Sequence, residues 1–149
     1  LLFCSCQPTE KNAILEKNKA VVLEYHKVWN EGNYENLNAI LTDDFVCHYL
    51  TSIAWKGIPA AKKEISGWRA LFPDWHEEIV DIIQENDKVV TRYKATATHT
   101  KTYEGIDATG AEIEIYEVSI YRISNGKIAE QWAFPDDPSI KTQILNFKE

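Results

Sequence analysis

The apolar residues of this chain change their spacing at Pro73. Before it they recur every three or four residues. Ile14, Val21, Val22, Tyr25, Val28 and Trp29 form one helical stripe, and Ala61, Ile65, Trp68 and Phe72 form another. After Pro73 they alternate. From Lys88 to Thr102 the odd positions carry Val89, Thr91, Tyr93, Ala95, Ala97 and His99. The even positions carry Arg92, Lys94, Thr96, Thr98 and Thr100. A period of two belongs to a strand with one buried and one solvated face. Helices first and strands afterwards make an α+β chain, not the βαβ alternation of a parallel sheet.

Local signals set the boundaries. Gly32 stops the first helix, and Asn33 can cap a short second helix carrying Leu37, Ile40 and Leu41. A strand is expected over Phe45–Leu50, after the Asp43-Asp44 turn. Gly57 and Pro59 open a third helix, which Phe72-Pro73-Asp74 ends. Further strands are expected over Trp75–Glu85, Lys88–Thr102, Ala111–Ile123 and Lys127–Phe134. Asn86-Asp87 is a turn, 103–110 is a loop, and Ser124-Asn125-Gly126 is a hairpin signal. With 149 residues the chain holds one core.

Charge excludes one function class. The net charge is −7 and no Lys/Arg cluster interrupts it, so no cationic face is available to displace counterions from nucleic acid. An acidic, phosphate-poor ligand or a neutral organic one fits better. The three cysteines have no metal-type spacing and no disulfide framework; Cys47 reads as a small buried apolar residue.

The first residues, Leu1-Leu2-Phe3-Cys4-Ser5-Cys6-Gln7, run from apolar to small to Cys, and the chain lacks Met. They resemble the end of a secretory signal and a bacterial lipoprotein box. Cys6 follows small Ser5 and is the expected lipidation site; Cys4 follows bulky Phe3 and fits less well. Residues 1–12 are then a signal remnant and tether, and 13–149 the folded domain. The expected location is secreted, periplasmic or membrane-anchored, with membrane contact only through that lipid.

Several segments resemble the SnoaL-like polyketide cyclases of the nuclear-transport-factor-2-like superfamily. They are helix 1 with Asn30-Glu31-Gly32, Leu41-Thr42-Asp43-Asp44-Phe45, Leu71-Phe72-Pro73-Asp74, Ala97-Thr98-His99-Thr100 and Gly126-Lys127-Ile128. The resemblance spans roughly Asn18–Asp137. It implies a cone-shaped α+β fold: three N-terminal helices against a strongly curved, mainly antiparallel sheet that encloses a pocket. It also implies homodimers packed through the sheet's outer face. Its aldol chemistry uses an Asp on the last strand and a His on the preceding one, without metal or cofactor. The positions matching that Asp and His are Ala133 and Ser119. Alanine cannot accept a proton, and a Ser hydroxyl is a poor substitute for imidazole near neutral pH.

Which residues face the pocket depends on the hairpin. A two-residue turn at Asn125-Gly126 sets Glu117 and Ser119 beside Trp132 and Phe134. A three-residue turn sets them beside Gln131 and Ala133. The three-residue form agrees with the resemblance and is favoured. The wall is then Ile113, Ile115, Glu117, Ser119, Tyr121, Ala129, Gln131 and Ala133. Tyr116, Val118, Ile120, Trp132 and Phe134 form the opposite face, suited to a dimer contact.

Glu117 is the candidate base, because a carboxylate on a buried wall has a raised pKa. His99 and His48 are candidate partners, which the resemblance puts at the pocket rim. Tyr25, Trp29, Trp68, Tyr93, Ser119, Tyr121, Gln131, Ala133 and Asp136 are candidate ligand-binding residues. His26 and His76 read as surface or edge residues, and Asp136-Asp137-Pro138 also reads as a turn. Two functions compete: holding a small hydrophobic molecule, or cyclase, isomerase, dehydratase or hydrolase chemistry on a small carbonyl metabolite. A structural dimer without ligand is the third reading. No cofactor or metal is expected.

Overall fold

The computed structural model describes residues 10–147. Cys4 and Cys6, with the expected lipidation, lie outside them. Glu10–Asn12, expected in the tether, already belong to helix α1 (Glu10–Glu31). Gly32 ends α1 as expected, at φ +72°, with its N–H donating to the Val28 carbonyl at 2.9 Å. A 3-10 turn (Tyr34–Asn36) and the short α2 (Leu37–Ile40) follow. Then come β1 (Leu41–Tyr49), β2 (Ser52–Lys56), α3 (Gly57–Leu71), β3 (His76–Glu85), β4 (Lys88–Thr98), β5 (Glu112–Ser124), β6 (Lys127–Phe134) and α4 (Asp137–Asn146).

The strands make one open six-stranded sheet in the order β2-β1-β6-β5-β4-β3. Every pairing is antiparallel except β1 with β6. The fold is α+β, with α1 packed on β3, β4 and β6, and α3 on β1 and β2. In β4 the odd positions from Val89 to Ala97 are buried, as the alternation required. Two apolar clusters fill the space between layers. One joins α1, α2 and α3 to β1 and β6; the other joins Phe72 and Trp75 to β4, β5 and α4. Trp29 packs against both.

Four elements differ from expectation. Strand β1 starts at Leu41, so Leu41 is outside α2 and Asp43-Asp44 lies within a strand rather than a turn, and Asn33 makes no side-chain cap bond. Strand β4 stops at Thr98, short of Thr102; there the Asp74 carboxylate accepts the Thr98 N–H at 3.0 Å and its hydroxyl at 2.6 Å. Strand β2 was not expected; its residues are largely exposed and carry little periodic signal. Helix α4 was not expected; only Asp136-Asp137-Pro138 was, as a turn. Pro138 in its first turn and the buried pair Ile140 and Ile144, four residues apart, are its helical signals.

The hairpin has a form that neither reading of the turn contained. Ser124 pairs with Lys127, so the turn has two residues, Asn125 at φ +51° and Gly126 at φ +76°. The three-residue turn does not form. Instead the register slips by one between Ile123–Ile128 and Arg122–Glu130, leaving Ala129 as a bulge. Ile128 and Ala129 are consecutive and both buried, as a bulge allows. Beyond it Ser119 faces Ala133 and Tyr121 faces Gln131. The bulge thus puts Gln131 and Ala133 on the same face as Ser119 and Tyr121, as expected, by a different local geometry.

Among the described residues, no helix is long and apolar enough to cross a membrane. No group of three or more His, Cys, Asp or Glu there is placed to hold a metal ion.

Candidate functional site

A cavity of about 40 Å³ lies between the helices and the sheet. Its walls come from every layer: His26 and Trp29 of α1, Tyr49 and Trp55 of β1 and β2, and Glu64 and Trp68 of α3. Trp75 and Glu77 enter from the start of β3, Tyr93 from β4, Glu117 and Tyr121 from β5, and Gln131 and Ala133 from β6. Pro135 and Asp137 close it. That volume holds about three water-sized groups, far below the several hundred Å³ of a drug-sized site.

Glu117 is buried, 8% exposed, and directly paired with Tyr93 across the β4–β5 ladder. The Tyr93 hydroxyl donates to Glu117 Oε2 at 2.8 Å, and the Asp136 backbone N–H donates to Oε1 at 3.1 Å. The carboxyl is raised from 4.5 to about 7, with burial as the largest cause. Within that balance the two hydrogen bonds pull it down, and the charges of Glu77 and Asp137 add to the rise. Asp137 is itself raised, by burial and by Glu104 and Asp136.

A second ionisable group, His26, lies in the same cavity, where the sequence pointed to the surface. His26, expected at the surface, is buried because it falls on the α1 stripe with Val22 and Trp29. Its Nδ1 meets Glu77 Oε2 at 2.5 Å, and its Nε2 meets the Tyr121 hydroxyl and Thr91 Oγ1, each at 3.1 Å. With the proton on Nδ1, toward Glu77, the single lone pair of Nε2 accepts from one of those two hydroxyls. Trp75 Nε1 donates to Glu77 Oε1 at 3.0 Å. Asn30 clamps the Glu77 backbone: Nδ2 donates to its carbonyl at 2.9 Å, and Oδ1 accepts its N–H at 2.7 Å. Glu77 shares the inward face of its strand with Ile79, so period two already pointed to it.

The expected residues divide. Trp29, Trp68, Tyr93, Glu117, Tyr121, Gln131 and Ala133 come together around the cavity. Ser119 is fully buried one layer behind, its hydroxyl accepting from Gln131 Nε2 at 3.1 Å. Tyr25 sits in the core, edge-on to Phe45 and Tyr121. Asp136 contributes its backbone N–H, not its side chain, while its neighbour Asp137 lines the wall. His99 is fully buried but does not line the cavity; its Nδ1 lies 2.9 Å from Thr109 Oγ1. His48 also does not line it. It pairs with Glu130 at 2.8 Å and stacks on Trp132, on the opposite side of the sheet from Cys47.

Among the described residues, three buried polar atoms at the cavity have no hydrogen-bond partner: the indole nitrogens of Trp55 and Trp68, and Gln131 Oε1. Two donors and one acceptor are thus left to a ligand.

An open six-stranded sheet under the helices, with a small cavity between the layers, defines an α+β fold of the cone type. The sequence profile of the SnoaL-like polyketide cyclases matches residues 19–144, and this chain belongs to that family. Among curated proteins nothing matches. Solved structures share the fold. AclR from Streptomyces galilaeus, provisionally assigned as a hydroxylase, is 24% identical with a TM-score of 0.79, over 90% of this chain and 99% of its own. IdmH from Streptomyces antibioticus, provisionally assigned as a polyketide cyclase, is 23% identical with a TM-score of 0.78, over 85% and 97%. A SnoaL-like protein from Jannaschia sp. CCS1 is 19% identical with a TM-score of 0.83, over 95% and 100%.

Proposed function

We propose that the chain takes a small organic molecule, or one end of a larger one, into this cavity and moves a proton on it. Glu117 is the general base. One observation carries the reading: a buried carboxyl facing the cavity, raised to about 7, and so poised between its two protonation states near neutral pH. The aldol pair of the family resemblance is replaced here by Ala133 and Ser119, and Glu117 with Tyr93 takes over the proton chemistry. The Tyr121–His26–Glu77 chain supplies a second place for a proton. The indole N–H groups of Trp55 and Trp68 suit a carbonyl oxygen, on which charge grows as the neighbouring C–H is deprotonated.

The test uses hydroxyacetone, a small enolisable ketone with one hydroxyl donor. In D₂O, followed by proton NMR, the protein accelerates loss of the protons next to the carbonyl, and Glu117→Gln abolishes the acceleration while leaving the circular dichroism unchanged. Equal rates in the two proteins would remove the mechanism.

The replaced aldol pair also favours a second reading, in which the cavity holds its ligand without turning it over. Saturable binding with no exchange at any pH would select that reading.

Two further properties are proposals from the sequence. Ser5-Cys6 supports a lipid anchor on Cys6, which labelling with a palmitate analogue, lost in Cys6→Ala, would test. The outer sheet face supports a homodimer.

A further inference from the structure

The walls of the cavity carry a charge pattern that proton transfer alone does not use. Glu64, Glu77, Glu117 and Asp137 line it, and among the described residues no Lys or Arg does. Among the described residues His26 is the one lining side chain able to hold positive charge, and it is committed to Glu77. Arg69, beside Trp68 on α3, turns its guanidinium to the carbonyls of Trp29, Pro73 and Trp75 and stays outside. An anionic ligand would therefore face four carboxylates with no compensating cation.

Between those carboxylates stand four tryptophans and three tyrosines. Aromatic faces attract cations, and most strongly where water is excluded. Gln131 gives an independent pointer. It is 5% exposed, lines the cavity, and leaves Oε1 without a partner, so it waits for a ligand N–H or O–H. Glu117 and Asp137 are raised by burial, and Asp137 adds to the rise at Glu117; a positive charge beside them would offset that strain.

We propose that the cavity receives the ammonium head of a small organic cation, with Gln131 Oε1 accepting from that head or from a hydroxyl next to it. The inference rests on the reading that this cavity is a ligand site, and narrows the ligand to an amine or quaternary ammonium compound.

Choline and its neutral isostere, in which carbon replaces the charged nitrogen, separate the possibilities. Each is titrated into the full chain by calorimetry and by tryptophan fluorescence. Choline is expected to saturate and alter the emission, with the isostere at least about tenfold weaker. Glu117→Gln should weaken choline severalfold without changing the isostere. Glu64→Gln, at an exposed position that tolerates change, should do the same to a smaller degree. Equal affinity for the two probes overturns the cation inference and leaves a ligand cavity standing. Binding of neither overturns the inference and the ligand reading together. Choline selectivity alongside unchanged hydroxyacetone exchange in Glu117→Gln supports the cation inference and counts against proton transfer alone.

Discussion

Tyr93 and Glu117 are direct partners across the β4–β5 ladder, and the phenol donates to the carboxylate at 2.8 Å. That bond stabilises the ionised carboxyl against the burial that raises it. Replacing the hydroxyl with hydrogen leaves the burial and removes the donor. In Tyr93→Phe the Glu117 carboxyl should therefore rise further above its ordinary value. A base works only when ionised, so proton exchange on hydroxyacetone should climb with pH through about 7 in the wild type. In Tyr93→Phe that inflection should move to higher pH. Carbon NMR of the labelled Glu117 carboxyl checks the same shift without substrate. A midpoint that stays or falls would show that the hydrogen bond does not set the proton affinity.

Glu117 also makes stability depend on pH. Its folded value of about 7 exceeds the ordinary 4.5, so between these values the folded chain binds the proton more tightly than the unfolded chain. The contribution is present in full below 4.5 and is lost as pH rises through about 7. The size is about 3 kcal/mol. Comparing wild type with Glu117→Gln by urea unfolding cancels the groups the two share. The stability of the wild type relative to the variant should fall by that order between pH 4.5 and pH 8. A flat difference would place Glu117 in a wetter site than its burial indicates.

The His26–Glu77 pair should reveal itself as a unit. Glu77→Leu strands His26 Nδ1 and the Trp75 indole N–H, both bonded to its carboxylate. His26→Leu leaves the carboxylate without its imidazole. Removing one partner of a buried pair costs roughly 3–5 kcal/mol. Removing both leaves no unpaired charge, so the double variant should lose clearly less than the two single losses summed. Unfolding in urea gives the three numbers, and simple additivity would mean the two residues do not interact.

Much of the fold was legible in the sequence, because the core reads out periodicity. The β4 alternation put Val89, Thr91, Tyr93, Ala95 and Ala97 inside, and they are inside. Gly32 and Pro73 marked real boundaries. The site was less legible, for two physical reasons. A bulge obeys no period, and Ala129 inverts the face of everything after it without any residue type announcing it. Polar residues on apolar stripes also look like interruptions. His26 and Glu77 each interrupt one, yet each is buried because it bonds the other. Position 26 could have been recovered by extending the Val22–Trp29 stripe to every residue on it. His48 shows the opposite case. It was set at the pocket by resemblance, whereas strand alternation opposite buried Cys47 turns it to the outer face.

That outer face yields the last prediction. His48 stacks on Trp132 at 5.4 Å, Lys88 Nζ lies 4.6 Å over the same ring, and Tyr116 and Phe134 are 50% and 41% exposed nearby. A cluster of large apolar groups on one sheet face is a natural contact for a second copy. Trp132→Glu puts a charge at its centre, close to Glu130, but the position is only half buried and the core lies on the other side. The variant should therefore keep its circular dichroism and melting behaviour. Light scattering should show a dimer for the wild type and a monomer for Trp132→Glu. A wild type that runs as a monomer, or a variant that stays dimeric, would move the contact off this face.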